Sequence, residues 1–404
     1  MNSNFKNIVL HHSIIYADVM MNVDSKTNGY SAHIVNVKGK VYVIAESLKY
    51  KICYSKSGDY NYLMNKCDGF FARWNKDDSE VEMSPVGPEI ADIEITTICS
   101  GTGRSSCSGS NGSVIGKDKL CKFCYKSNTP TGKFMDFKTF KRVFDKLPKS
   151  LTQIAFGVDS HGESNPDMFK IMDYCLKKQV VPNLTIAEIT DKTADELVKR
   201  VGATAVSRYH DKDICYDTVK KLTDRGLKQT NVHIMVSTET YDDVMETLRD
   251  RLTDSRLSKL NVIVLLSLKK KGRGIGYTKL SDEKFKSIVD FALENKIGIG
   301  FDSCSAPKFL NAVKDSKDFE HFKTLADACE SQLTSCYINV EGKYFPCSFT
   351  EGTDDWTEGI DVVNCKDFLT DVWYNERVVE FRNKLLETSK HNCMNCRSCP
   401  KFEV

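Results

Sequence analysis

The segment ADIEITTIC occupies residues 91–99 and indicates how the chain folds. Branched residues fill most of positions 91–98, which predicts a β-strand, and Cys99 follows the strand directly. Six further strand candidates follow, at residues 152–157, 183–189, 203–207, 229–237, 260–267 and 297–302. Amphipathic segments of helical length separate them, among them residues 137–147, 167–178, 213–225, 241–252 and 282–295.

Strands that alternate with helices in this way predict an α/β fold with a parallel sheet, either open or closed into a barrel. Ligands of such folds bind at the carboxyl ends of the strands. The informative residues therefore follow strands. They are Cys99 after the first strand, Gly162 and Glu163 after the second, and residues 207–210 at the end of the fourth.

The chain before this region has a different character. Apolar and polar residues alternate over residues 33–37 and 40–44, and Lys38 and Gly39 lie between them, which predicts a hairpin. Two prolines and a glycine within residues 84–88 predict a linker. We therefore expect a β-rich N-terminal unit over residues 1–88, an α/β region over 89–303 and a cysteine-rich extension over 304–404.

The charges of the chain nearly cancel, with 57 lysines and arginines against 55 aspartates and glutamates. This balance gives no strong signal for nucleic acid and none for an anionic membrane. An apolar stretch near the N-terminus is broken by His11, His12 and Asp18, so it resembles neither a secretory signal nor a membrane span. We expect a cytoplasmic protein.

Sixteen cysteines are many for a chain of 404 residues. In a reducing compartment they do not form a disulfide framework, so metal or cluster ligation is their expected use. Eight of them lie between residues 304 and 399, and an earlier group comprises Cys99, Cys107, Cys121 and Cys124. Four others are expected to be small buried hydrophobic residues, namely Cys53, Cys67, Cys175 and Cys215.

The earlier group has the spacing of a cluster site. Cys121 and Cys124 can ligate one metal centre, and Cys99 at a strand end supplies a third thiolate. Three thiolates leave one iron of a four-iron cluster without a protein ligand. The amino and carboxylate groups of a methionine moiety can chelate that iron, which brings a sulfonium beside a one-electron donor.

A strand followed by these cysteines and by an aromatic residue, here Tyr125, resembles the first motif of the radical S-adenosylmethionine (SAM) superfamily, and the resemblance implies that Tyr125 contributes to SAM binding. That family has three residues between the first two cysteines, whereas 21 residues separate Cys99 from Cys121 here. We interpret residues 100–120 as a glycine-rich insertion that loops out and returns. Cys107, inside the insertion, is the alternative to Cys99 as third ligand, and it can also be a reactive or bystander thiol.

Further positions are similar to the SAM-binding elements of that family. His161, Gly162 and Glu163 resemble its Gly-Gly-Glu element, where a carboxylate or carbonyl accepts hydrogen bonds from the methionine ammonium. Ser207 and Arg208 occupy the place where related proteins bind the ribose or carboxylate of SAM. The basic loop over residues 268–274 is similar to a loop on the substrate face of relatives, and a solvated loop explains its composition equally well.

The spacing of Cys329, Gly342 and Cys347 is similar to one half of the SPASM and twitch extensions, which hold auxiliary iron–sulfur clusters. The resemblance implies further ligands from Cys304, Cys393, Cys396 and Cys399. The full SPASM ending is absent, which favours one auxiliary cluster, although eight cysteines can hold two. A structural zinc on Cys347 and the last three cysteines is the rival interpretation. Cys336 lies in a strand candidate and is expected in the core.

The resemblance implies a partial (β/α)6 barrel of the TIM type with an auxiliary-cluster extension. It implies a [4Fe–4S] cluster on Cys99, Cys121 and Cys124 that cleaves SAM reductively to a 5′-deoxyadenosyl radical. No catalytic residue is assigned, although Tyr209, Cys107 and Cys336 are candidate acids or hydrogen donors.

The substrate of that radical is expected to be a peptide or protein, and the electron donor a flavodoxin or ferredoxin. A small molecule or a nucleotide is the alternative substrate. An iron–sulfur electron carrier or a zinc-binding structural protein is the alternative of a different class.

Overall fold

The computed structural model describes residues 31–77, 81–102, 120–209, 211–391 and 396–404. No helix in these ranges is long and apolar enough to cross a membrane. The strands form a five-stranded sheet near the N-terminus and a ten-stranded sheet after it.

The first sheet is an antiparallel meander in chain order. Its strands are β1 (Ser31–Val37), β2 (Lys40–Glu46), β3 (Tyr50–Ser55), β4 (Asn61–Asn65) and β5 (Phe71–Trp74). The predicted hairpin is confirmed, because β1 pairs with β2 in a register that joins Val37 to Lys40. Lys38 and Gly39 have φ angles of 50° and 80°, as the tight turn between these strands requires.

The second sheet carries the predicted parallel strands. They are β6 (Ile90–Glu94), β7 (Gln153–Gly157), β8 (Val181–Ile186), β9 (Ala203–Ser207), β10 (Thr230–Val236), β11 (Val262–Ser267) and β12 (Ile299–Phe301). Three more strands extend the sheet beyond β6: β13 (Ser335–Ile338), β14 (Lys343–Phe345) and β15 (Ile360–Asp361). β13 runs parallel to β6, and the last two strands are antiparallel.

Helices connect the parallel strands at the predicted places. They are α1 (Phe137–Phe144), α2 (Met168–Lys177), α3 (Asp191–Leu197), α4 (Lys212–Asp224), α5 (Tyr241–Thr253) and α6 (Asp282–Glu294). The cysteine-rich extension contributes α7 (Ala306–Val313), α8 (Phe319–Leu325) and α9 (Glu376–Thr388). Side-chain caps begin several of these helices; Asp136, for example, accepts a hydrogen bond from the backbone N–H of Thr139 at the start of α1.

Strands β6 to β12 neighbour one another in chain order, without the reversal that divides a doubly wound sheet. Right-handed crossovers in one direction put all the helices on one face of the sheet, which is the topology of an open, partial barrel. The outward side chains of β7, such as Ile154 and Phe156, are buried in one apolar core with Phe140 and Ile171 of the helices. The predicted α/β fold class is confirmed.

The N-terminal sheet covers the amino ends of the barrel strands. Lys51 donates to the carbonyl of Leu151 at 2.7 Å, and Tyr62 donates to the carbonyl of Ser150 at 2.6 Å, just before β7. Further along the same end of the barrel, Lys66 donates to Gln179, which precedes β8. The sheet therefore closes the end of the barrel opposite to the loops that follow the strands.

A buried ion pair anchors this contact. Arg73 donates to Glu89 through Nε and Nη2, at 2.7 and 2.5 Å, and the Tyr60 hydroxyl donates to the same carboxylate. Glu89 is 1% exposed. Replacing Arg73 would leave a buried carboxylate with only a phenol for compensation.

We expect Arg73→Met to lower the free energy of unfolding by about 3 kcal/mol, because removing one partner of a buried pair strands the other charge. Urea denaturation of the two proteins measures the difference. Lys40→Met is the matched control, since it breaks an ion pair to Asp59 in which the lysine is 57% exposed, and it should change stability little. Equal losses in both variants would contradict the assignment of Arg73 as an anchor.

Candidate functional site

The first cysteine group begins at the carboxyl end of β6. Beyond the strand, the Cys99 N–H donates to the carbonyl of Thr129 at 2.8 Å, and the Thr97 N–H donates to the carbonyl of Lys133 at 2.9 Å. These bonds tie the chain before the insertion to the chain after it. Cys99 is therefore held in position by the chain that follows the insertion. Residues 103–119, including Cys107, lie outside the described residues.

Cys121 and Cys124 lie on a short loop that returns to Cys99. The Cys124 N–H donates to the carbonyl of Cys121 at 3.3 Å, and the Ser127 N–H donates to the carbonyl of Cys124 at 3.2 Å. Burial raises the pKa of the Cys121 thiol to about 12, and the neighbouring Cys124 and Cys99 thiols raise it further. The three thiols are therefore close enough to influence one another electrostatically, and their role as cluster ligands stays a prediction.

The loop after β7 supports this group from the second strand. Asp159 is buried and accepts hydrogen bonds from the backbone N–H groups of Glu163 and Ser164, at 3.0 and 3.3 Å. The hydroxyl of Ser160 lies 3.9 Å from the Cys99 sulfur and donates to the carbonyl of Gly101. The loop that carries the predicted SAM-binding residues therefore contacts the cysteine group directly.

Gly162 and Glu163 occupy the turn of that loop. Gly162 has a φ angle of 65°, which few residues other than glycine adopt. The Glu163 side chain is exposed and accepts a hydrogen bond from the Thr193 hydroxyl at 2.8 Å. Their predicted role toward the methionine ammonium stays a prediction.

The end of β9 reaches the same group through Tyr209. Burial raises the pKa of Tyr209, and so do the thiols of Cys121, Cys124 and Cys99, so the phenol lies beside all three. The Ser207 side chain forms a hydrogen bond with this phenol.

Arg208 and Tyr125, two other predicted SAM-binding residues, contact different parts of the protein. Arg208 is 4% exposed, and its guanidinium lies 3.0 Å from Glu246 and 3.6 Å from Asp243, both on α5. The Tyr125 ring packs on Phe349 in the C-terminal extension, with centroids 4.2 Å apart. The predicted SAM-binding residues are therefore brought together only in part.

Most of the basic loop after β11, residues 268–274, is not solvated. Its interpretation as a solvated loop is therefore wrong for most of its basic residues. Lys269 is 5% exposed, and Lys271 and Arg273 are half-buried; among the three lysines 269–271, only Lys270 is exposed. The Arg273 guanidinium donates to the carbonyls of Cys121 and Asn128. Sequence reasoning missed this role, because backbone carbonyls that lie some 150 positions away leave no pattern in the sequence.

A second cysteine group lies in the C-terminal extension. The Cys329 thiol is hydrogen-bonded to Cys304, which lowers the pKa of Cys304 and raises that of Cys329. Burial raises the pKa of Cys347 to about 12, and Cys304 and Cys399 add to this effect. The backbone N–H of Phe402 donates to the Cys399 sulfur at 3.3 Å. Four of the predicted auxiliary ligands are thus neighbours.

The other cysteines divide between the core and the surface. Cys396 is buried, whereas Cys393 lies outside the described residues. The expectation of burial is confirmed for four cysteines, namely Cys53, Cys175, Cys215 and Cys336. It is wrong for Cys67, which is exposed because it lies in the turn between β4 and β5, where its N–H donates to the Asn65 side chain.

A single metal ion requires tightly gathered ligands. No three histidine, cysteine, aspartate or glutamate side chains in the described ranges are gathered tightly enough to hold a single metal ion. Tetrahedral zinc with Zn–S bonds of about 2.3 Å requires sulfur atoms about 3.8 Å apart. A four-iron cluster is wider and is held by more widely separated thiolates. The zinc alternative includes Cys393, so it stays a prediction.

The inner face of the barrel is open. In β7, β8, β10 and β11 every second residue is partly accessible, whereas the residues between them are buried. A filled TIM barrel buries both sets. Polar groups line this interior, among them His233, whose pKa burial lowers to about 4, and Asp92, which is accessible to solvent although desolvation by the surrounding protein raises its pKa to about 6.

Comparison with known families gives one match. The family model SPASM, described as an iron–sulfur cluster-binding domain, matches residues 329–400. This range contains Cys329, Cys347 and Cys399 of the second cysteine group. The C-terminal extension therefore resembles a domain that binds auxiliary iron–sulfur clusters. No curated protein matches the chain.

The open interior leads to a prediction about pH. The pKa of Asp92 rises from 3.8 to about 6 in the folded protein, so folding opposes its ionisation and stability falls as the pH rises from about 4 to 6. Asp92→Asn should therefore be more stable than the wild type at pH 8, and the two proteins should be equally stable near pH 4. The difference at pH 8 should be only about 1 kcal/mol, because solvent reaches the carboxylate and weakens the effect.

Urea denaturation of the iron-free proteins at both pH values tests this. Asp315→Asn, at an exposed position, should show no such pH-dependent difference. An Asp92→Asn variant that is less stable than the wild type by the same amount at both pH values would show that the carboxylate stabilises the fold instead.

Proposed function

We propose that the chain is a radical SAM enzyme. The observation that carries the proposal is the convergence of Cys99, Cys121 and Cys124 at the carboxyl end of β6, in a chain whose extension matches an iron–sulfur cluster-binding domain. When bound to three thiolates, a [4Fe–4S] cluster with one free iron supplies an electron to the sulfonium of SAM. The residues of the chain position the two groups and exclude water from them.

Each strand end contributes to this arrangement. Cys99, Cys121 and Cys124 would hold the cluster, and Ser160 would contact the Cys99 sulfur from the β7 loop. The Glu163 carboxylate, which is oriented by the Thr193 hydroxyl, would accept hydrogen bonds from the ammonium group of SAM. Ser207 is favoured over Arg208 for the ribose, because the Arg208 guanidinium is already engaged by Glu246 and Asp243.

The second cysteine group would hold an auxiliary cluster. Its thiols, from Cys304, Cys329, Cys347 and Cys399, would complete a four-iron cluster without an open iron. A cluster without an open iron would supply electron transfer rather than direct binding of SAM. Apart from Cys336, which lies in the core, the remaining cysteines of the extension are Cys365, Cys393 and Cys396, and they are available for a second auxiliary cluster.

A peptide or protein is the substrate class that the resemblance implies, and a flavodoxin or ferredoxin is the electron donor that it implies. The open inner face of the barrel supports a substrate group that enters the interior, because accessible side chains line it from β7 to β11. Asp92 and His233 would meet that group.

The proposal is tested by SAM turnover. The protein is loaded anaerobically with iron and sulfide, reduced with dithionite and mixed with SAM, and 5′-deoxyadenosine is measured. We expect product from the wild type, a loss of at least about a hundredfold in Cys121→Ala, and no loss in Cys67→Ser, whose cysteine is exposed and outside both groups. A wild type that binds iron and forms no product would be an electron carrier instead.

Iron content tests the two groups separately. If each holds a four-iron cluster, Cys121→Ala and Cys347→Ala should each lose about four irons per chain, and the double variant about eight. Iron and zinc are counted by elemental analysis after reconstitution. Zinc that disappears in Cys347→Ala, with iron unchanged, would instead identify the extension as a structural zinc site.

A further inference from the structure

The segment that follows β11 contacts both cysteine groups. Lys269 and Lys271 contact the second cysteine group, and Arg273 contacts the first. The exposed Lys270 lies between the first two. A single stretch of five residues therefore spans the distance between the first cysteine group and the second.

Arg273 engages the loop of the first group at three points. Its Nε donates to the carbonyl of Cys121 at 2.8 Å, and its Nη1 donates to the carbonyl of Asn128 at 3.0 Å. Its backbone N–H donates to the carbonyl of Cys124 at 3.0 Å. The rigid guanidinium thus fixes the two ends of the loop, and hydrogen bonds from a charged donor are stronger than neutral ones.

Gly272 permits this close approach. A Cβ atom at this position would lie 2.3 Å from the carbonyl oxygen of Tyr125 and 2.7 Å from that of Cys124. Its φ angle of 56° is also one that side chains disfavour. Any side chain here would therefore push the segment away from the loop. Gly276, four residues on, has open space where its Cβ would lie.

The two lysines contact the second group. Lys269 is ion-paired with Asp302 and lies in the electrostatic field of the Cys304 and Cys347 thiols. Lys271 donates to the carbonyls of Phe349 and Glu351, which lie on the loop after Cys347. The positions of the two cysteine groups are thus coupled through one stretch of backbone.

We propose that residues 269–273 are a positioning segment that holds the Cys121–Asn128 loop ready for its cluster and in register with the second cysteine group, with Arg273 as its principal positioning residue. The inference rests on the proposed function, because it assigns a cluster to that loop. Arg273 also places a fixed positive charge beside the thiolates, which favours the reduced form of a cluster bound there.

Hydrogen exchange of the iron-free protein tests the positioning role without any SAM chemistry. In Arg273→Gln, amides within residues 121–128 should exchange about tenfold faster than in the wild type. Arg273→Lys should restore part of the protection, because the charge returns without the forked geometry. Lys270→Gln, which removes an exposed charge from the same segment, should leave the exchange unchanged.

A second pair of variants tests whether the close backbone approach at Gly272 is required. Gly272→Ala should accelerate the same amides as Arg273→Gln, whereas Gly276→Ala should not. Amides of the N-terminal sheet report whether the fold is intact in every variant. Unchanged exchange at residues 121–128 in both Arg273→Gln and Gly272→Ala, with the fold intact, would overturn the proposal even if the protein cleaves SAM.

The charge is tested in the reconstituted protein. Redox titration should show the first cluster harder to reduce in Arg273→Gln by about tenfold in the equilibrium constant, or about 59 mV for one electron, and unchanged in Lys270→Gln. An equal potential in Arg273→Gln and the wild type would overturn the electrostatic part. A protein that shows the exchange effect and fails to cleave SAM would keep the positioning role and lose the proposed function.

Discussion

Strand β6 pairs with β7 on one side and with β13 on the other, and this double pairing fixes where both cysteine groups lie. The register with β13 joins Ser335 to Ile90 and Ile338 to Ile93, so the extension runs alongside the strand that ends near Cys99. The chain then turns through β14 and passes Cys347. Backbone hydrogen bonds of a parallel ladder thus connect residues that are some 245 positions apart in the chain.

Charges reinforce the same junction. Lys126, in the loop of the first group, lies 3.2 Å from Glu94 on β6 and also pairs with Glu351 in the extension. Burial raises the pKa of the Glu94 carboxyl, and the adjacent Lys126 ammonium opposes this rise. Tyr337 on β13 contacts both Lys126 and Glu351. Lys126 therefore links the barrel, the loop of the first cysteine group and the extension.

The strands and helices of the barrel were predictable because each has a hydrophobic period of its own, as the agreement of α5 and β9 with the expected ranges illustrates. The position of Cys99 after β6 was predictable from the strand pattern, and its grouping with Cys121 and Cys124 was predicted from the resemblance of their spacing to a cluster-binding motif. Contacts that leave no local pattern in the sequence were not predictable. Arg208 is engaged by acids on α5, and Arg273 by distant carbonyls, and neither partner can be inferred from the neighbouring sequence.

Electron paramagnetic resonance of the reduced, reconstituted protein, recorded with and without SAM, tests most directly whether three thiolates leave one iron open. Comparing Cys99→Ala with Cys107→Ala identifies the third ligand. The account predicts a cluster signal that changes when SAM is added, that survives in Cys107→Ala and that is lost in Cys99→Ala. A signal that survives in Cys99→Ala and vanishes in Cys107→Ala would move the third ligand into the insertion, and a wild-type spectrum unaffected by SAM would contradict the proposed function itself.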